Sequence, residues 1–144
     1  MLIREATLAD IPRCVEMGRC FLLDVYAGLL DENPGQMAQI GADLIEKETG
    51  LLLVAEGDGG RLVGMIGMII VPHPLSGALV AAELFWWMDP TARGAGVRLL
   101  KRAERWARDR GIATVQMTAP NPGVGHLYER LGYQAVETAY QRSW

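Results

Sequence analysis

Residues 88–100, MDPTARGAGVRLL, join an aromatic, apolar run to an amphipathic one through a turn that holds Gly94 and Gly96. After the turn, Leu99, Leu100, Ala103, Trp106 and Ala107 recur at helical spacing, which predicts a helix over Val97–Arg110 stopped by Gly111. Amides at the start of such a helix lack intrahelical acceptors and sit at the positive end of its dipole, where an anion is favoured. Glycine at 94 and 96 removes the Cβ atoms that would hold a phosphate away from those amides. Arg93 and Arg98 flank the turn with positive charge.

On the N-terminal side of the turn, LLLVAE (51–56), RLVGMIGMIIV (61–71) and ALVAAELFWWM (78–88) read as three strands of an antiparallel meander. GDGG makes the first turn between them, and PHPLSG is a loop because its prolines cannot donate to a ladder. Asp89-Pro90 closes the meander. On the far side of the turn come a strand at IATVQM, a turn at APNPG, a helix through GHLYERLG, and a last strand pair near YQAV and TAYQRSW. Before the meander lie a short strand over Leu2–Ala6 and a helix capped by Asp10, with Pro12 in its first turn, running to about Ala27. A second, more polar helix follows over Gln36–Lys47 and is ended by Gly50. The expectation is one α+β domain over 1–144, three layers deep, with a mixed, mostly antiparallel sheet of six to seven strands and helices on both faces.

Two familiar phosphate loops are excluded. A Walker loop needs a Gly-Lys-Ser/Thr ending that is absent, and the dinucleotide fingerprint needs a third glycine where Leu99 stands. That fingerprint also requires a parallel βαβ unit, which the meander contradicts. A third pattern fits. A Gln or Arg, two residues, Gly, one residue, then Gly or Ala is the acyl-CoA signature of the GCN5-related N-acetyltransferase (GNAT) superfamily. Thr91-Ala-Arg-Gly94-Ala-Gly96 resembles it at both glycines, departs at Thr91, and has Arg98 where many members carry a further glycine. A second signature is an Asn followed seven residues later by Tyr, then Gly and an aromatic; it stands here as Asn121, Tyr128, Gly132 and Tyr133. The element order resembles the family's over nearly the whole chain, and AELFWWMDP…RGAG looks most like small members of phage and prophage type.

The resemblance implies acetyl transfer from acetyl-CoA to a primary amine of a small molecule or peptide, by direct attack. Glu83 matches the glutamate that histone-type members use as base, and its neighbours Ala81, Ala82, Leu84 and Phe85 would raise its pKa if it is partly buried. The alternatives are a solvent-facing strand residue, with ordered water as the base. Gln116 stands where ribosomal-protein-type relatives place a basic glutamate, and an amide cannot do that work. Tyr128 would assist the leaving thiolate, or else is a core tyrosine beside Leu127 and Leu131. Asn121 would orient the pantetheine arm or the tyrosine, or else is an ordinary turn residue, and backbone groups at Trp87 and Met88 would pair with pantetheine amides. The pyrophosphate would fall to Arg93, Gly94, Ala95, Gly96, Val97 and Arg98. The alternative function on the same fold is a non-catalytic acyl-CoA sensor or interaction module.

Composition sets outer bounds. A formal charge of −3 argues against a general nucleic-acid binder, and the most apolar stretch, Leu62–Val71, is too short to span a bilayer. Residues 1–10 carry charge where a signal peptide needs an apolar run. Cys14 and Cys20, six apart on one helix, face different ways and read as reduced thiols in a cytoplasm. With His73 and His126 they form no metal-ligand pattern, so no metal is expected. Asp31-Glu32 would favour a cationic acceptor such as a polyamine, aminoglycoside or protein amine, or else is solvated loop charge, and a homodimer is the family's usual habit.

Overall fold

The computed structural model describes residues 1–144, save the side chain of Arg93. Its centre is the meander. Strands β2 (Gly50–Glu56), β3 (Leu62–Pro72) and β4 (Leu79–Met88) pair antiparallel, with β1 (Leu2–Glu5) antiparallel to β2 and β5 (Val115–Gln116) parallel to β4. The five strands therefore lie in chain order across one sheet.

The unbroken apolar run of β2 follows from burial on both faces. Leu51, Leu53 and Ala55 point to one side, where they meet Leu99, Leu100, Ala103, Trp106 and Ala107 of helix α3 (Gly96–Asp109). Leu52 and Val54 point to the other, among Cys14 and Met17 of α1 (Ile11–Tyr26) and Leu44 of α2 (Pro34–Glu46). Helix α4 (Pro122–Arg130) joins α3 on the first face through Tyr128 and Val124.

One irregularity decides where the functional groups fall. Gly67 pairs with Phe85, but Met68 pairs with Glu83, so Leu84 is an extra residue bulged out of β4. A bulge shifts the alternation of side chains by one. Before it, Ala81 faces α3 and α4, and Glu83 shares that parity; after it, Phe85 and Trp87 face α1 and α2 while Trp86 and Met88 face α3 and α4. The bulge thus puts Glu83 and Trp86 on one side of the sheet. Gly67 makes room for it, since a Cβ there would run into the Phe85 ring.

Four expectations need correcting. The sheet has five strands rather than six to seven, because 133–144 form none: Val136, Tyr140 and Trp144 are 78%, 93% and 99% exposed. A strand persists only beside an edge that offers backbone partners, and β5, two residues long, offers almost none. Asp10 does not cap α1 with its side chain; its carboxylate instead accepts from the Thr7 amide (2.8 Å) and from Arg4 (2.8 Å), closing a 3-10 turn at Leu8–Asp10. Helix α2 begins earlier, at Pro34, because Asn33 Oδ1 caps it by accepting from the Gln36 amide. Gly50 opens β2 rather than ending α2, and a Cβ there would lie 2.7 Å from the Leu44 Cα. No helix among the described residues is long and apolar enough to cross a membrane.

Candidate active site

Strands β4 and β5 pair only at Ala81–Val115 and Ala82–Gln116, then part. Past Ala82, the β5-facing edge of β4 has no strand partner in the sheet. The Asp89 amide donates to Val63 O (2.7 Å), which fixes the alternation at this end of the β3–β4 ladder. Every second residue of an antiparallel pair turns its backbone to its partner, so Trp87 turns to β3 while Trp86 and Met88 turn to the gap. Of the two residues expected to offer backbone groups there, Met88 is placed to do so; Trp86 takes the position expected of Trp87.

Glu83 and Tyr128, 45 positions apart in the chain, meet at Thr118. The Thr118 amide donates to Glu83 Oε1 (2.8 Å), and Tyr128 OH donates to Thr118 O (3.1 Å). Burial raises the Glu83 carboxyl to about 7 against a partial opposing effect of the Thr118 N–H. Burial, and secondarily the nearby Glu83 charge, holds the Tyr128 phenol far above its usual range. One group is therefore poised to exchange protons at neutral pH, while the other keeps its proton. Thr118 escapes sequence reasoning because it acts through its backbone, which any residue type would supply.

Helix α4 aims Tyr128. Asn121 Oδ1 accepts from the Val124 amide (3.0 Å) and caps the helix, with Pro122 in the first turn. Asn121 is thus committed through its oxygen to starting the helix that carries the tyrosine, seven residues on.

The glycine turn follows Met88. Asp89 Oδ1 accepts from both the Thr91 amide (3.0 Å) and the Thr91 hydroxyl (2.7 Å), a local turn that accounts for threonine at that position and pulls the Asp89 pKa down. A 3-10 turn over Pro90–Ala95 then runs into α3, which no side chain caps. The two glycines differ in kind. A Cβ at Gly94 would meet nothing within 4 Å, leaving the backbone open to a guest. A Cβ at Gly96 would lie 3.0 Å from Met88 Cγ and 3.3 Å from the Trp86 ring, so Gly96 serves packing beneath the turn. Ala95 and Val97 flank it at the helix start. Arg98 donates to Met1 O (3.1 Å), and the Arg93 side chain lies outside the described residues. The open Gly94 backbone and the unpaired edge of β4 suit a ligand with phosphates at one end and amides along its arm.

His73 serves its own loop, its Nδ1 accepting from the Leu75 amide (3.2 Å). Trp87 Nε1 donates to Asp24 Oδ2 (3.0 Å) on the α1 side. Two surface cavities of about 260 and 210 Å³ open around Glu5 and Arg110, and neither is lined by Glu83, Tyr128 or the glycine turn. The candidate site instead lies where β4 and β5 part.

Comparison with known proteins identifies the family. The acetyltransferase (GNAT) family model matches residues 19–133. Aminoglycoside N(6')-acetyltransferase type 1 of Klebsiella aerogenes is 31% identical over 115 residues, 76% of this chain and 72% of that protein. A transcriptional regulator from Bacillus halodurans C-125 superposes with a TM-score of 0.80 at 25% identity, over 99% of both chains. A predicted acetyltransferase from Clostridium acetobutylicum, solved with acetyl-CoA, shares the fold at TM-score 0.80 and 17% identity, over 99% of this chain and 95% of that one. The chain belongs to the GNAT acetyltransferase family and is an acetyl-CoA-dependent N-acetyltransferase.

Proposed function

We propose that residues 1–144 act as one catalytic unit in which Glu83 takes a proton from a primary amine and Tyr128 steadies the departing thiolate, the acetyl group passing directly to the amine. The observation that carries this reading is the meeting of both side chains at Thr118. A carboxyl near pH 7 suits a base that must be ionised when the amine arrives and still hold the proton it takes. Acetyl-CoA supplies the activated acyl group when bound. The chain's own groups do the rest. Backbone amides at Gly94, Ala95, Gly96 and Val97 receive the phosphates, and Trp86 and Met88 present backbone groups to the pantetheine arm. An N–H on this stretch of β4 is the natural donor to the carbonyl oxygen as negative charge develops there.

Tyr128 turns its hydroxyl from Thr118 O toward the sulfur. With its pKa held so high, it donates a hydrogen bond and retains the proton rather than transferring it fully. A cysteinyl intermediate is disfavoured: burial pushes the Cys14 thiol up to about 11, and both cysteines lie on α1. The two free thiols accord with a cytoplasmic setting.

For the acceptor we favour a small cationic amine of the aminoglycoside class, the class named in the Klebsiella relative. Asp31 adds acidic charge in the loop after α1, whereas the neighbouring Glu32 is taken by Arg19 (2.7 Å). The exposed apolar tail residues Val136, Tyr140 and Trp144 are the surface through which two copies would associate. The test is thiol release from acetyl-CoA across a panel of aminoglycosides, polyamines and amino-terminal peptides. Turnover confined to peptides would overturn the acceptor reading, and full turnover by Tyr128→Phe would overturn the role of Tyr128.

A further inference from the structure

The ring of Tyr128 is flanked by two other aromatics. Trp86 stacks on it with centroids 6.0 Å apart and planes 26° from parallel, and Tyr133 lies 5.5 Å away at a 45° tilt. Each neighbour is tied to α3. The indole of Trp86 lies directly beneath Gly96, the first residue of that helix, where a Cβ would come within 3.3 Å of it. Tyr133 OH donates to Glu104 Oε2 (2.8 Å), two turns further along the same helix. The Tyr133 amide also donates back to Tyr128 O (3.0 Å), through a chain reversal in which Gly132 takes φ +95°.

We infer that Trp86 and the Tyr133–Glu104 pair are positioning residues that fix the Tyr128 ring against α3, so that the helix receiving the phosphates also sets where the thiolate's hydrogen-bond donor stands. A phenol on a nine-residue helix has freedom about two side-chain torsions, and its own bond to Thr118 O restrains only the tip. When the hydroxyl leaves Thr118 for the sulfur, that restraint is lost and only ring contacts hold the donor in place. Offset and tilted aromatic pairs are directional, and a charge-assisted phenol–carboxylate bond is short and strong, so together they supply a restraint that bulk packing would not. Glu104 otherwise belongs to the charged side of α3, and its link to Tyr128 through Tyr133 exists only in three dimensions.

The inference rests on Tyr128 acting as donor, and the test separates the two claims. Tyr133→Phe removes the bond to Glu104 and keeps the ring; Glu104→Leu removes it from the other side; Glu104→Gln keeps an acceptor for the Tyr133 hydroxyl. Each is made in the wild type and in Tyr128→Phe, and kcat and the KM for acetyl-CoA are measured. Misplacing a reacting group by about 1 Å can cost on the order of 100-fold. The expectation is therefore a fall in kcat of about tenfold for Tyr133→Phe and Glu104→Leu, with KM for acetyl-CoA within about twofold and most of the loss restored in Glu104→Gln. In Tyr128→Phe, with no hydroxyl left to position, the same changes should have no further effect on kcat. An unchanged kcat in Tyr133→Phe, or an equal loss in both backgrounds, would overturn the inference and leave the role of Tyr128 standing. Should Tyr128→Phe itself leave kcat unchanged, the role assigned to Tyr128 falls, and the clamp with it.

Discussion

Holding Glu83 half-buried destabilises the folded chain at the pH where the proposed base would carry its charge, and Glu83→Gln should make that cost visible. The carboxyl rises from an ordinary 4.5 to about 7 on folding, chiefly through burial. Below pH 4.5 both states are protonated and the effect vanishes. Between 4.5 and 7 the unfolded chain has released its proton and the folded chain has not, so stability falls as pH rises, reaching its full loss above 7. At 1.36 kcal/mol per unit, that loss is about 1 kcal/mol at pH 5 and about 3 kcal/mol at pH 8. Glutamine is neutral throughout and its Oε1 still accepts from the Thr118 amide. Glu83→Gln should therefore be more stable than wild type by about 3 kcal/mol at pH 8 but only about 1 kcal/mol at pH 5. Urea denaturation at the two pH values reads this directly, the pH 8 gain shifting the midpoint by on the order of 1–2 M. Equal stability changes at both pH values would refute the desolvated carboxylate, and a loss of stability at pH 8 would reverse the sign of the argument.

The two glycines of the turn should separate under alanine substitution. Gly94→Ala, with nothing within 4 Å of the new Cβ, should leave thermal stability unchanged and weaken acetyl-CoA binding in calorimetry, whereas Gly96→Ala should cost about 1–3 kcal/mol by pressing on Met88 and Trp86. Asn121→Ala removes the cap of α4 and should cost about 1 kcal/mol in denaturant, with kcat lowered through Tyr128 more than acetyl-CoA affinity is. Arg98→Ala breaks only a bond to Met1 O among the described contacts; if Arg98 also receives phosphate, acetyl-CoA affinity should fall by severalfold in titration while stability holds.

How far the chain could be read without coordinates depends on which part of a residue does the work. The α3 stripe of Leu99, Leu100, Ala103, Trp106 and Ala107 is written in side chains at a helical period, and the two-sided burial of β2 in an unbroken apolar run, so both were legible. Glu83 and Tyr128 were nameable as candidates through the resemblance to the GNAT family, Tyr128 by its spacing after Asn121. Their meeting was not, because Thr118 joins them through its amide and carbonyl. The Leu84 bulge was hidden for a similar reason: periodicity assumes an unbroken alternation, and one extra residue reverses it downstream. The packing contact of Gly96 was hidden because a glycine that admits a ligand and one that admits a neighbour's side chain look alike in sequence. The last strand pair was misread because apolar residues in the tail were assigned an edge that β5 is too short to provide.

The central claim is that Glu83 is the base. It is tested most directly by the pH dependence of kcat/KM for amine acetylation, measured from pH 5.5 to 9 in wild type and in Glu83→Gln with one acceptor. The account predicts a wild-type limb that rises with pH and bends near 7, as the folded carboxyl ionises, and a Glu83→Gln enzyme about 100-fold or more slower that lacks that bend. A bend that survives unchanged in Glu83→Gln would contradict it, and would assign the proton to water or to the acceptor itself.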